Sequence, residues 1–213
     1  MTTARTRHNY AGRSVQERRA ERRALFTEAG LTVFAQKSYA ASSISDVCAA
    51  AGLSRRQFYE QYTGREALLV DVYDQVQQRA RAAFLEGLTT AGTADPRALI
   101  EAGMRAYVHA ITDDPRRVQV AFVEIVGVSD EVERHRAQVR DEWGAVIAET
   151  ADAVPGVRTP PGGWQLAMAA FIGAVNGAVH RWSLQQPRPP VDDLLAVLST
   201  LLLALVLPGN TSG

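Results

Sequence analysis

The sequence predicts an all-α protein of about nine helices, with an N-terminal head and a larger helical body. Apolar residues recur at spacings of three and four along most of the 213 residues, the period that places them on one face of a helix. Proline and glycine interrupt this pattern where helices should end. No stretch alternates apolar and polar residues over more than a few positions, so we expect no sheet.

The N-terminal segment is polar and basic. Residues 1–20 contain five arginines and no apolar period, which predicts a disordered arm that attracts DNA phosphates by charge. A solvated tail without an ordered contact is the alternative. The first helix should begin at about Glu17 or Arg22 and end at Gln36, because apolar side chains there follow a helical period.

Residues 44–61 predict two short helices joined by a tight turn. Ser43 is a hydroxyl N-cap, and Asp46 follows three residues later in the first turn. Gly52 comes after the last apolar residue of this helix, where glycine adopts a left-handed conformation at little cost. Ser54 then caps the second helix. A helix-turn-helix of this kind lays its second helix in the DNA major groove.

The second helix begins with outward-facing side chains that are suited to reading bases. Arg55 and Arg56 can form paired hydrogen bonds with guanine, and Gln57 can form them with adenine. Phe58 should face inward as part of the core. A solvated helix face is the alternative interpretation of the two arginines.

The body should contain six further helices, whose limits are marked by capping residues and prolines. Asp95-Pro96 and Asp114-Pro115 each supply an N-cap followed by proline at the first helical position. Residues 154–163 are dense in proline and glycine and separate two later helices. The expected helices are residues 65–88, 96–112, 115–128, 129–153, 164–185 and 191–207.

The charge distribution separates the two parts of the chain. Residues 1–70 carry 11 Lys and Arg against 6 Asp and Glu, whereas residues 71–213 carry 12 against 17. A basic head on an acidic body suits a DNA-reading protein, although chance asymmetry in a solvated surface gives the same pattern. The expected domains are a basic arm at 1–20, a DNA-binding domain at 21–66, an effector-binding and dimerisation domain at 67–208, and a tail at 209–213.

The segment from Arg22 to about Tyr73 resembles the DNA-binding domain of the TetR family of one-component transcriptional regulators. Tyr62 replaces the family's commoner Phe, Arg65 replaces Lys, and Arg56 stands where Gly is frequent. The motifs that carry the resemblance are Ser42-Ser43-Ile44, Ala51-Gly52-Leu53-Ser54, Tyr59 with Tyr62, and Thr63-Gly64-Arg65-Glu66-Ala67-Leu68-Leu69. The resemblance implies phosphate contacts at Ser43, Ser54, Tyr59, Tyr62, Thr63 and Arg65.

Helices 164–185 and 191–207 predict a homodimer interface. The first contains small residues such as Gly173 and Gly177, which let another helix approach closely. The second is apolar almost all round, which a helix with a water-facing side should not be. Two helices from each subunit would form a four-helix bundle. Burial of the same helices inside a monomer is the alternative, and the family resemblance independently implies the dimer.

We expect a pocket for a small, largely apolar effector between the fourth and eighth helices. Its candidate lining residues are mostly apolar or aromatic side chains at helical spacing, which an ordinary core also contains. His180 and Glu124 are the candidate polar handles. The candidate ligand-binding residues are Met104, Tyr107, Val108, Phe122, Val126, Trp143, Ile147, Met168, Phe171, Asn176 and His180.

No pattern in the sequence indicates an enzyme. The four histidines lack metal-ligand spacing, and no glycine-rich phosphate loop is present, so we expect no metal and no cofactor. The single cysteine, Cys48, cannot form an intrachain disulfide and fits a reducing cytoplasm. The longest apolar run, residues 194–207, is shorter than the ~20 residues that span a bilayer, so no membrane contact is expected.

Together these features predict a sequence-specific DNA-binding transcriptional regulator. In its specific form the prediction is a homodimeric repressor that its ligand releases from a palindromic operator. The alternative is an all-helical ligand-binding or interaction protein whose helix-turn-helix does not touch DNA.

Overall fold

Every regular element in the described part of the chain is helical, which confirms the all-α prediction. A computed structural model describes residues 14–152, 154 and 156–207. Within these residues a π-helical turn, Val120–Glu124, follows the sixth helix. The α-helices are α1 Val15–Lys37, α2 Ile44–Ala51, α3 Arg55–Tyr59, α4 Arg65–Thr90, α5 Pro96–Thr112, α6 Pro115–Gln119, α7 Asp130–Asp152, α8 Gly163–Ser183 and α9 Val191–Val206.

The start of α1 corrects the predicted limit of the basic arm. Residues 14–20 are ordered into the helix, because Ser14 and Glu17 form a reciprocal capping box. The Ser14 hydroxyl accepts a hydrogen bond from the Glu17 N–H at 3.1 Å, and the Glu17 carboxylate accepts one from the Ser14 N–H at 2.6 Å. Two otherwise unpaired backbone donors are thereby satisfied. The remainder of the arm, residues 1–13, and the tail at 209–213 lie outside the described residues.

The sixth helix is shorter than the expected 115–128. After α6 the backbone widens, and the N–H of Ile125 donates to the carbonyl of Val120, five residues earlier, at 3.2 Å. This turn buries Val120, Ala121 and Phe122 in succession. Gly127, at φ +72°, then ends the segment in a conformation that favours glycine. Short π-helical turns are rare and occur frequently at functional sites.

The head consists of α1 to α3 packed on the first turns of α4. Phe26, Phe34, Phe58 and Leu68 are fully buried there, and the rings of Phe26 and Phe58 meet edge to face at 5.4 Å between centroids. Such aromatic pairs contribute beyond the area they bury. α4 continues out of the head into the body, so one rigid element belongs to both.

In the body, α4 and α5 cross at close range through two glycines. A Cβ atom at Gly87 would lie 2.8 Å from the backbone oxygen of Ala102, and one at Gly103 would lie 2.9 Å from the Leu88 side chain. The Ala102 oxygen belongs to the backbone and cannot move aside, so Gly87 is required for this approach, whereas the Leu88 side chain could shift away from a larger residue at position 103.

The head is joined to the body by polar contacts as well as by α4. Arg116 at the start of α6 bonds Glu28 and the Thr32 hydroxyl of α1, each at 2.7 Å. Its guanidinium is held in place by Asp114 at 2.7 Å. These contacts fix α6 and the following π turn against α1.

The outer faces of α8 and α9 are exposed and rich in small or apolar residues. Val197 and Leu201 of α9 are 52% and 38% exposed, and Leu166 of α8 is 65% exposed. A Cβ atom added at Gly173 or Gly177 would meet no atom within 4 Å. The two helices therefore present an apolar surface with room for a closely packed partner.

Candidate DNA-binding and effector sites

Reciprocal caps hold the helix-turn-helix in its shape. Ser43 and Asp46 form a capping box at the start of α2, with the Ser43 hydroxyl 3.1 Å from the Asp46 N–H. Gly52 ends α2 at φ +65° and donates its N–H to the carbonyl of Ala49 at 3.3 Å. Ser54 and Gln57 form a second capping box at the start of α3. The local rules of helix capping thus set both helices and the turn between them.

The Asp46 carboxylate also joins α2 to the end of α1. Lys37 donates to it at 2.6 Å. Hydrogen bonds from Lys37 and Ser43 lower the pKa of Asp46 to about 2. The carboxylate therefore remains charged at neutral pH and keeps both contacts.

The two arginines at the start of α3 are exposed. The Arg56 side chain is 90% exposed and has Glu60 at 3.4 Å, while Arg55 donates to the Ser45 hydroxyl at 3.3 Å. Weak contacts of this kind are readily exchanged for hydrogen bonds to bases. Gln57 differs, because its side-chain oxygen accepts from the Ser54 N–H at 2.9 Å and so serves the cap.

The candidate phosphate contacts divide into an exposed set and an internal set. Ser43, Ser54, Tyr59 and Thr63 lie on the surface around α3. Tyr62 is buried. Its hydroxyl donates to Asp71 at 2.6 Å.

Asp71 in turn is held by Arg23 through two hydrogen bonds of 2.8 and 2.9 Å. We therefore remove Tyr62 from the proposed phosphate contacts. Asp71 stands between the core residues Leu69 and Val72, and a carboxylate at a core position was the sequence signal that a buried partner was required.

Arg65 is likewise engaged inside the head. Its guanidinium donates to the carbonyl of Tyr39 at 2.7 Å and to the carbonyl of Ser42. It also lies 4.5 Å from the centre of the Tyr39 ring, a favourable cation–π distance. Arg65 thus holds the connection between α1 and α2 against α4, and we remove it from the proposed phosphate contacts.

A cavity in the body collects most of the candidate effector residues. It lies between α4, α5, α7, α8 and the π turn, and its volume is about 40 Å³, enough for a few water molecules. The predicted residues that line it are Met104, Tyr107, Phe122, Trp143, Ile147, Phe171 and Asn176. The residues that sequence reasoning missed are Tyr73, Gln77, Phe84, Val139, Arg140, Ile172 and Val175.

Four candidate ligand-binding residues do not line this cavity. Val108 is fully buried in the core, and Met168 faces a groove between α7 and α8. Val126 is 46% exposed, because the helix expected to carry it ends before it. His180 lies outside the lining, with its Nδ1 atom 3.0 Å from the carbonyl oxygen of Phe122. Helical period alone could not show which inward side chains border a cavity and which border solid core.

The candidate polar handle Glu124 points away from the cavity and towards the head. Its carboxylate accepts from the N–H of Tyr39 at 2.7 Å and from the Gln119 side chain at 2.8 Å. It thereby binds the π turn to the residue that Arg65 also contacts.

The cavity wall is aromatic, with a few polar groups. The Trp143 indole N–H donates to the Gln77 side chain at 2.9 Å, and burial raises the pKa of the Tyr107 hydroxyl. Burial also raises the pKa of Tyr73 to about 12, although Arg136 and Arg140 act in the opposite direction. An apolar cavity with few convergent polar groups is typical of a small-molecule site.

The described residues contain no cluster of three or more side chains that could hold a metal ion. Among the helices described, none combines the length and apolar character needed to cross a bilayer. Burial raises the pKa of the Cys48 thiol despite the nearby charge of Arg55, so this thiol is a poor nucleophile.

A helix-turn-helix head on a helical body with an internal cavity defines a class of ligand-responsive DNA-binding regulators. Residues 26–72 match the family of bacterial regulatory proteins called the tetR family. The HTH-type transcriptional regulator EthR of Mycolicibacterium smegmatis is 27% identical over 149 residues, which cover 70% of this chain and 68% of the relative. The chain therefore contains a tetR-family DNA-binding domain at residues 26–72, and it is similar to a transcriptional regulator over most of its length.

Solved structures share the fold. The fatty acid degradation regulator FadR from Bacillus halodurans superposes with a TM-score of 0.72 at 15% identity, covering 86% of this chain and 95% of that one. FadR from Bacillus subtilis, solved in complex with stearoyl-CoA, has a TM-score of 0.71 at 14% identity, with coverages of 85% and 97%. At these identities the likeness concerns the fold.

Proposed function

We propose that this protein is a homodimeric repressor that acts in the cytoplasm, binds a palindromic operator through α3, and is released by a small, largely apolar effector. The observation that carries the proposal is the exposed pair Arg55 and Arg56 at the start of α3. Two arginines at the N-terminal end of a recognition helix stand where base edges are read. The alternative of a ligand-binding protein that does not touch DNA leaves this pair without a role.

In this proposal the exposed hydroxyl residues position the head on DNA, and the arginines select the sequence. Ser43, Ser54, Tyr59 and Thr63 contact phosphates, which fix the register without reading bases. Arg55 and Arg56 each contribute roughly 1–3 kcal/mol of discrimination between base pairs. Gln57 reads a base only after its side chain leaves the cap on Ser54.

The dimer would form through the exposed faces of α8 and α9. Their apolar surface and the open space beside Gly177 support a four-helix bundle between two copies. Gly177→Arg should place a charge in that interface and separate the subunits, as light scattering would show. Glu149→Arg, which places a positive charge on an exposed position of α7, is the control and should leave the dimer intact.

The effector would act by enlarging the cavity. A volume of about 40 Å³ is far below that of a typical ligand site, ~300 Å³ or more, so a ligand must move the wall. Phe122 lies on that wall in the π turn, and Glu124, two residues later, holds the N–H of Tyr39 in the head. A ligand that binds better to the enlarged state lowers operator affinity by that difference in affinity.

Selection of bound duplexes from a random DNA pool at two salt concentrations tests the proposal. We expect a palindromic consensus whose affinity falls steeply with salt. The double variant Arg55→Ala with Arg56→Ala should lose the consensus, while Arg134→Ala, which removes an exposed arginine of α7, should keep it. Binding without a consensus at either salt concentration would favour the ligand-binding alternative.

A further inference from the structure

We propose that the effector is an anion: an aromatic or acyl body with one carboxylate-type group that Arg140 receives. The inference rests on the proposed effector role of the body cavity. Arg140 lies on α7, is half-buried, and lines the cavity together with Tyr73.

The charge of Arg140 has only a distant partner in the described part of the chain, because it helps to lower the pKa of Glu133 without contacting that carboxylate. None of the described carboxylates lies within 4.0 Å of its guanidinium, and it forms no hydrogen bond with a described residue. Arg136, one helical turn earlier, is by contrast paired with both oxygens of Glu133 at 2.6 and 2.7 Å. A half-buried guanidinium without a hydrogen-bond acceptor can form strong hydrogen bonds with a ligand that supplies one.

Two of the neighbouring carboxylates already have partners, and a third, Asp141, lines the outer groove but not the cavity. Glu133 accepts from Arg136 and from the Gly127 N–H at 2.8 Å, while Asp74 contacts His135 at 2.6 Å. The cavity wall itself contains no acidic side chain. Its end at Tyr73 and Arg140 is therefore positively charged, and the Tyr73 hydroxyl can donate a second hydrogen bond to an anion.

The remaining wall specifies the body of the ligand. Phe84, Tyr107, Trp143 and Phe171 surround the cavity and favour a flat or chain-like apolar group. Arg140 also lines the outer groove between α7 and α8, so it stands between that groove and the cavity. A ligand entering there would leave its charged group at Arg140 and place its apolar part inside.

Matched acid and amide probes test this assignment on the full-length dimer. Isothermal titration with 2-naphthoate and 2-naphthamide, and with decanoate and decanamide, compares equal shapes with and without a charge. We expect each acid to bind about tenfold or more tightly than its amide, because hydrogen bonds to charged groups are the stronger ones. Arg140→Gln should remove this preference, and Arg134→Gln on the same helix should retain it.

Three outcomes would overturn the proposal: no acid binding at millimolar concentration, equal binding of acids and amides, or an acid preference that survives Arg140→Gln. Thermal unfolding of the ligand-free Arg140→Gln protein shows whether it has folded, and Arg140→Lys should recover part of the acid preference. Operator binding by the ligand-free wild type is measured on the same preparation. The absence of operator binding would refute the repressor function, whereas the absence of an acid preference in a wild type that binds its operator refutes only the anionic ligand.

Discussion

Polar side chains are more completely hydrogen-bonded in the head of this protein than in its body. In the head, the buried Asp71 has two partners, the guanidinium of Arg65 has three acceptors, and reciprocal caps close both helices of the helix-turn-helix. In the body, a small cavity remains open beside Arg140, which has no hydrogen-bond acceptor among the described residues, and next to a rare π turn. A DNA-binding head must keep one fixed conformation to fit its operator, whereas a ligand-binding body needs an element that can move.

The largest effect should come from the aromatic core that fixes the head. Phe58→Ala removes a fully buried ring that meets Phe26 edge to face. It should lower the free energy of unfolding by about 3–5 kcal/mol. Tyr59→Ala removes the adjacent ring, which is 53% exposed, and should cost well under half as much. Chemical denaturation measures both variants, and equal losses would contradict the fixed head.

The buried carboxylate should give the next largest effect. Asp71→Ala leaves the Tyr62 hydroxyl and one face of Arg23 without their acceptor and should cost about 2–3 kcal/mol. The expected loss of stability is at the lower end of the range because the Arg23 side chain is 59% exposed, so water screens its ion pair with Asp71. Tyr62→Phe removes one hydrogen bond and should cost about 1 kcal/mol. Denaturation curves in which Tyr62→Phe is the more harmful change would show that Asp71 does not organise this contact.

The same contrast explains what the sequence could and could not predict. Both helices of the helix-turn-helix follow from residues that act on their near neighbours: Ser43 on Asp46, Gly52 on α2, and Ser54 on Gln57. Local chemistry of this kind is visible in the sequence.

The body depends instead on contacts between distant segments. The π turn at Val120–Glu124 forms where three successive side chains are buried against other helices, and no local pattern predicts that. Tyr107 lines the cavity while its neighbour Val108 does not, although both fit the inward period of α5. No local sequence pattern distinguishes Arg140 from the other charged residues of α7, because only the packing of distant helices places it at the cavity.

The junction between head and body should give a smaller effect on stability but a distinct one on dynamics. Glu124→Ala removes the acceptor of the Tyr39 N–H and should cost about 1 kcal/mol. Hydrogen exchange over residues 38–42 should become faster, because the connection before α2 loses its contact with the π turn. Glu149→Ala, an exposed carboxylate of α7, is the control. Unchanged exchange in Glu124→Ala would separate the π turn from the head and weaken the proposed route of release.

The smallest effect concerns the surface contact between Lys37 and Asp46, and it should depend on pH. The pKa of Asp46 is lowered from 3.8 to about 2 in the folded head, so the folded state holds the charged form more strongly than the unfolded state does. Its stabilising contribution is present above pH 4 and is lost as the pH falls from about 4 towards about 2.

Asp46→Asn should therefore destabilise the head slightly at neutral pH and flatten the acid dependence of unfolding in that window. Thermal unfolding across the acid range measures this change, with Asp193→Asn at the exposed start of α9 as the control. If Asp46→Asn left the acid dependence as steep as in the wild type, the acid sensitivity would belong to other carboxylates. The contact between α1 and α2 would then rest on the caps and the aromatic core alone.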